Sequence, residues 1–239
     1  MTVSTSKEPA RIAGMFDAIA WRYDALNHLL SLGLDRKWRR RAVQELGLTG
    51  AERVIDVCTG TADLAIEAVS RRSGAARDVV GIDFAGQMLT QARRKLVHHV
   101  SGAKVRLVRG DATRLPVPDR AFDAAMIAFG IRNVIDPGAA CRELHRVLRP
   151  GSPLAILEFG YPRLPGIRHM YRWYFQYVLP RVGRRISRHD EAYSYLPQSV
   201  AEFKTPAAFT RMLQDAGFPV VRYVPLTLGT VYLYLAERD

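Results

Sequence analysis

The stretch Val54-Ile-Asp-Val-Cys-Thr-Gly-Thr-Ala-Asp63 decides how this chain is read. Its first half is a short apolar run, as a strand buried on both faces requires. Its second half is a turn, in which Gly60 admits a tight bend and a close backbone approach. A helix is expected over about 62–72, and its first turn offers free N–H groups to a carboxylate or phosphate. A strand, a glycine turn and a helix open a parallel sheet whose ligands sit at the carboxyl ends of the strands.

The alternation continues outward. Val79-Val-Gly-Ile-Asp83 reads as the second strand and 87–99 as a helix that collects Arg93, Arg94 and Lys95 near its end, the sign its dipole favours. Val105-Arg-Leu-Val-Arg109 and 122–129 read as the third and fourth strands. Asp136-Pro137 supplies an N-cap and a first-turn proline to a helix that stops at Arg149-Pro150-Gly151. Leu154-Ala-Ile-Leu-Glu158 is the fifth strand, and Thr205-Pro206 opens a helix ending near Gly217. The runs 220–225 and 230–236 are joined by a link that permits only an antiparallel pair. The expected fold is α/β, a three-layer doubly wound sheet of seven strands with one reversed strand at its edge.

Upstream, Ile12, Met15, Phe16, Ile19 and Tyr23 recur at helical spacing. Trp38, Ala42, Val43 and Leu46 mark a further helix, closed by Gly47. No repeat or linker divides the chain, so residues 1–239 are expected to form a single domain.

Composition excludes several classes. Hydrophobic residues make up 48% and charged residues 24%, which is a globular mixture. The net charge of +12 attracts polyanions, either nucleic acid or an anionic membrane face. Cys58 and Cys141 build no disulfide framework, and the polar start has no apolar signal region, so a cytoplasmic location is expected. The longest uncharged stretch, 223–236, is too short to span a bilayer.

Three acidic residues fall at successive strand ends or just past them. Asp56 leads into the Gly60 turn, Asp83 stands where it can accept from ribose hydroxyls, and Gly110-Asp111-Ala112 places a carboxylate to accept from an exocyclic amine. Together they describe a pocket for an adenosine with a small charged tail. A dinucleotide would need three glycines in its turn, and a P-loop is absent. S-adenosylmethionine needs no pyrophosphate cradle and fits better. No histidine spacing suggests a metal site.

At this point the chain resembles the class I S-adenosylmethionine-dependent methyltransferases. More narrowly, it is similar to the ubiquinone/menaquinone biosynthesis C-methyltransferases, which methylate a ring carbon of a polyprenylated quinol. The resemblance rests on Tyr23-Asp24-x-x-Asn27-x-x-Leu30-Ser31 with Trp38, on Phe129-Gly-Ile-Arg-Asn133, and on Arg146-Val-Leu-Arg-Pro-Gly151 with Glu158-Phe159. It extends to Leu179-Pro-Arg-Val-Gly183 and Tyr193-x-Tyr-Leu-Pro197-x-Ser199. Departures include Asp35, where the family commonly has histidine, and Ala62, which thins the glycine-rich turn. The resemblance implies that Thr61, Asp83, Asp111 and Ala112 contact the cofactor beside Gly60.

A quinol ring carbon becomes nucleophilic when its neighbouring hydroxyl loses a proton, so a base or a phenolate-stabilising cation is expected. Arg132 is the expected phenolate partner, and Tyr23 and Asn27 are expected to close the site from an N-terminal helical lid over 11–47. His145 and His189 are lesser base candidates. An insertion over 160–200 is expected on the substrate side. Its aromatic and basic residues, with Trp173, Tyr174, Tyr177 and the cluster Arg36 to Arg41, would touch an anionic membrane while collecting a lipophilic quinol. Alternatives are a related benzoquinol or specialised aromatic substrate, a nucleic-acid methyltransferase, or a non-catalytic binding protein. The acceptor motif of amino-methylating nucleic-acid enzymes is replaced here by Phe129-Gly-Ile-Arg-Asn133, so no nucleic-acid partner is expected. Whether the chain pairs as a homodimer stays open.

Overall fold

The computed structural model describes residues 9–162, 166, 167, 169, 173 and 190–239. Three helices come first: α1 (Pro9–Ile19), α2 (Tyr23–Leu30) and α3 (Leu34–Glu45). The alternating region follows as β1 (Arg53–Val57), α4 (Asp63–Ser70), β2 (Asp78–Asp83), α5 (Gly86–Val97), β3 (Val105–Arg109), β4 (Ala124–Ala128), α6 (Pro137–Val147) and β5 (Pro153–Phe159). The described C-terminal part contains α7 (Asp190–Glu202), α8 (Pro206–Asp215), β6 (Val220–Leu226) and β7 (Val231–Glu237).

The strands form one seven-stranded sheet in the order β3-β2-β1-β4-β5-β7-β6. β1 lies parallel to both β2 and β4, so the strand order turns back beside it and opens a crevice at the carboxyl ends. The period of two along each strand feeds two cores. In β4, Ala125 and Ile127 join the core under α6 and α8, while Ala124 and Met126 join the core under α3 and α4. In β7, Tyr232 and Tyr234 face the first core, and Leu233 and Leu235 face the second. Both faces of the sheet are thus covered, which makes the strands apolar throughout.

The single reversal is present but lies one place in from the edge. β7 runs antiparallel to β5 and to β6, so β6 closes the sheet with the same direction as the other strands. The hairpin returns β7 into the slot beside β5, and Pro225 is tolerated because β6 has one neighbour only. A second difference concerns the N-terminus. A turn at Ala20, Trp21 and Arg22, with the Arg22 N–H donating to Ile19 O at 3.0 Å, ends α1 before Tyr23, which starts α2 instead.

Phe209 is fully buried on α8, with its ring 4.8 Å from the Tyr234 ring and 5.2 Å from that of Phe203. Phe209→Ala is expected to cost about 3–5 kcal/mol, read as a lowered urea midpoint with an unchanged slope.

Candidate functional site

An open cleft of about 780 Å³ lies at the carboxyl ends of β1, β2, β3 and β4. Its polar end is built around one carboxylate. Asp83, at the end of β2, is 8% exposed; its Oδ2 accepts from the Gly60 N–H at 2.8 Å and its Oδ1 from the Ala85 N–H at 2.9 Å. Burial pushes its carboxyl up, and these backbone donors oppose that. A carboxylate offers about four lone-pair positions, and the backbone groups of Gly60, Phe84 and Ala85 do not take up all of them, so acceptor capacity remains for a ligand hydroxyl. Gly60 has φ +57°, and a Cβ there would meet nothing within 4 Å, so its bare backbone faces open space. Cys58 and Ala62 share this left-handed geometry at φ +57° and +67°, which costs a residue with a side chain about 1 kcal/mol or more. Below the turn, burial raises Asp56 to about 7, against the Thr59 hydroxyl that donates to it at 2.6 Å.

Asp111 and Ala112 line the cleft past β3. Asp111 Oδ1 accepts from the Thr113 N–H and hydroxyl at 2.8 and 2.9 Å, which fixes the carboxylate in place. Ile82, Phe84 and Met88 supply apolar wall. A buried carboxylate with spare acceptors, a bare glycine turn and apolar walls fit the ribose, tail and base of S-adenosylmethionine. The far end of the cleft is lined by Phe16, Tyr23, Phe129, Asn133 and Ile135.

Five expected residues therefore line one cleft: Gly60, Asp83, Asp111, Ala112 and Tyr23. Thr61, Asn27 and Arg132 do not. The Thr61 hydroxyl donates to Asp24 Oδ1, so it holds the lid. Asn27 hydrogen-bonds Tyr23, whose hydroxyl burial pushes up, with that bond and the Arg132 charge opposing. Tyr23 thus stays protonated at neutral pH.

Arg132 corrects the expectation that it faces the donor. It is 4% exposed and its guanidinium is turned inward, 2.8 Å from Oε1 of the fully buried Glu158. It also donates to Phe129 O and reaches Ser199 Oγ at 3.4 Å. The next residue, Asn133, reaches the cleft instead and accepts from the Tyr195 hydroxyl at 3.1 Å. Asn133 belonged to a quoted motif, but nothing local distinguishes it from Arg132 as the residue facing the cleft. Behind it, Phe129 stacks on Phe159 at 4.5 Å and meets Trp38 edge-on at 6.1 Å. Gly130 permits this approach, since a Cβ there would lie 2.3 Å from Cys58 Cβ. His145 packs on Phe218 and bonds Asp239 at 3.1 Å, on α6 and outside the cleft lining. His189, Tyr174, Tyr177 and the 179–183 motif lie outside the described residues.

An ion-pair network joins α2 and α3 to α4 and α5. Lys95 Nζ on α5 joins Asp24 of α2 to Asp63, the first residue of α4. Arg39 of α3 bridges Asp63 at 3.0 Å and Asp35 at 2.8 Å, and His28 Nδ1 lies 2.6 Å from Asp35. Burial alone would raise Asp35, but Arg39, Ser31 and His28 outweigh it and hold the carboxyl low. The His28, Asp35 and Asp63 ligand atoms lie within 4.8 Å of one another, yet Arg39 and Lys95 already engage both carboxylates, so this is an ion-pair network.

The ubiE/COQ5 methyltransferase family model matches residues 2–238. The chain is 49% identical over 225 residues to the demethylmenaquinone methyltransferase of Thermus thermophilus, covering 94% of this chain and 100% of that one. It is 45% identical over 233 residues to the ubiquinone/menaquinone biosynthesis C-methyltransferase UbiE of a Geobacter species, covering 98% of each. Among solved structures, the cyclase SpnF matches with a TM-score of 0.68 at 17% identity, over 100% of this chain and 98% of that one. A SAM-dependent methyltransferase of Thermotoga maritima matches at 0.64 and 17%, over 95% and 100%. Likeness at that identity speaks for the fold alone. With close relatives aligned along nearly their whole length, the chain belongs to the ubiE/COQ5 methyltransferase family and is an S-adenosylmethionine-dependent C-methyltransferase.

Proposed function

We propose that this enzyme methylates a ring carbon of a polyprenylated quinol, with demethylmenaquinol converted to menaquinol. The observation that carries the reading is the two-ended cleft. The Asp83 and Asp111 carboxylates stand at one end, and Phe16, Tyr23, Phe129 and Ile135 form an apolar, aromatic end with few charges. Relatives named as demethylmenaquinone methyltransferases, such as that of Deinococcus radiodurans at 44% identity, support the naphthoquinol over other rings.

The bound donor supplies a methyl group already activated on a sulfonium. The protein's task is to hold the acceptor carbon in line with it and to keep water out. Asp83, with the Gly60 backbone beside it, would hold the donor's ribose, and Asp111 would hold its exocyclic amine. The quinol hydroxyl gives up its proton to water, and Tyr23, kept protonated by burial, donates a hydrogen bond to the resulting ring oxyanion. After the methyl group has bonded to the carbon, the proton of that carbon is also lost to water, restoring the aromatic ring. Asn27 fixes the direction of that hydroxyl. Asn133, held by Tyr195, borders the acceptor side. Arg132 acts through Asn133 and Phe129 as a positioning residue.

The test offers labelled S-adenosylmethionine with demethylmenaquinol and with its benzoquinol counterpart, in detergent. Label in the naphthoquinol alone is the expected result; label in both widens the role to a second quinone, and label in neither defeats the reading. Tyr23→Phe is expected to lower kcat about 10- to 100-fold while donor affinity by calorimetry stays unchanged. Arg132→Ala leaves the Glu158 carboxylate unpaired in the core and is expected to cost about 3–5 kcal/mol in urea unfolding. Full stability with lost turnover would instead return Arg132 to direct contact with the ring.

A further inference from the structure

The outer face of the α2 segment is apolar and uncovered. Ala25 and Leu29 lie one turn apart on α2, and Trp21 and Leu32 stand in the turns just before and just after it, Leu32 at φ +51°. Trp21 is 63% exposed, Leu29 49% and Leu32 84%. Tyr23 lines the cleft from the opposite side of α2, with Asn27 hydrogen-bonded to it, so these exposed apolar residues are not the ones that close the site.

The charges around it are sorted by sign. Between residues 17 and 41 the acidic residues are Asp17, Asp24 and Asp35. Asp17 accepts from the Gln87 N–H, Asp24 pairs with Lys95, and Asp35 pairs with Arg39, so all three are engaged with neighbouring groups. The exposed cations of the following helix are Arg36, Lys37, Arg40 and Arg41, of which Arg40 lies 3.6 Å from Glu67 and Arg41 2.6 Å from Glu45. The Arg22 guanidinium lies 3.8 Å over the Trp21 ring.

Exposed apolar side chains on and beside a short helix, bordered by cations, suit a membrane interface, and affinity there grows with the apolar area buried and with anionic lipid. Trp is a side chain suited to that depth. A second copy of this chain would bring the same cations against these and be repelled. We propose that Trp21, Leu29 and Leu32, with the basic residues of α3, form a docking surface for an anionic phospholipid bilayer. Docked there, α2 lies between lipid and cleft. Ile135, which is 57% exposed and lines the cleft, marks the opening through which a lipophilic ring enters. The purpose of docking rests on the proposed quinol substrate; the docking itself rests on the surface alone.

Co-sedimentation of the full chain with quinone-free vesicles tests this, with phosphatidylglycerol-rich vesicles compared against pure phosphatidylcholine. The wild type is expected to bind the anionic vesicles preferentially. Trp21→Ser/Leu32→Ser is expected to bind them at least about tenfold more weakly with an unchanged melting temperature, both positions being exposed. Lys37→Gln is expected to lose about fivefold on anionic vesicles only. Equal binding of wild type and double variant, or no wild-type binding, overturns the proposal. So does a lipid-free dimer that the double variant dissociates, because a second copy would then own the face. No quinol is present, so a failed methylation assay leaves this result standing.

Discussion

The Asp83 carboxylate ties two turns together. One oxygen accepts from Gly60 in the turn after β1, and the other from Ala85 in the turn after β2. The register of β1 against β2 brings these turns side by side, and the tie sets the width of the crevice between them. Placing a carboxylate where water is scarce is unfavourable unless donors face it, and backbone N–H groups meet that need without occupying every lone pair. The acceptors left over can then turn toward a ligand. Positive φ at Cys58 and Ala62 is strain held at the same turn, beside the cleft where the backbone must bend most sharply.

Behind the other end of the cleft stands the buried Arg132–Glu158 pair. Isolated, either charge would be strongly disfavoured in the core. Together they cross-link the turn after β4 to β5, and Ser199 brings α7 to the same point. The Phe129–Phe159 stack and Trp38 fill the space around them. Asn133 and Phe129 thus reach the cleft from a rigid base, although the charge beside them does not.

The N-terminal helices are held by charge as well as by apolar packing, with Trp38, Ala42, Val43 and Leu46 set in the core. Asp24, Asp63, Lys95 and Arg39 connect α2 and α3 to the helices that follow β1 and β2. Since Thr61 of the turn after β1 also bonds Asp24, α2 and that turn share one network.

The layers, the seven strands and the strand-end positions of Asp83 and Asp111 were legible in the sequence, because short apolar runs and glycine turns are local properties. Gly60 could be read as a bare turn for the same reason. The place of the reversed strand was not, because hydrogen bonding to β5 is a choice between distant segments. Nor was the direction of Arg132, whose partner Glu158 lies 26 residues away, or of Thr61, whose partner Asp24 lies 37 away. Sequence by itself determined the sheet and which residues end its strands. Only the tertiary structure decided which neighbouring side chains reach the cleft, because a buried polar group points to whichever partner satisfies it.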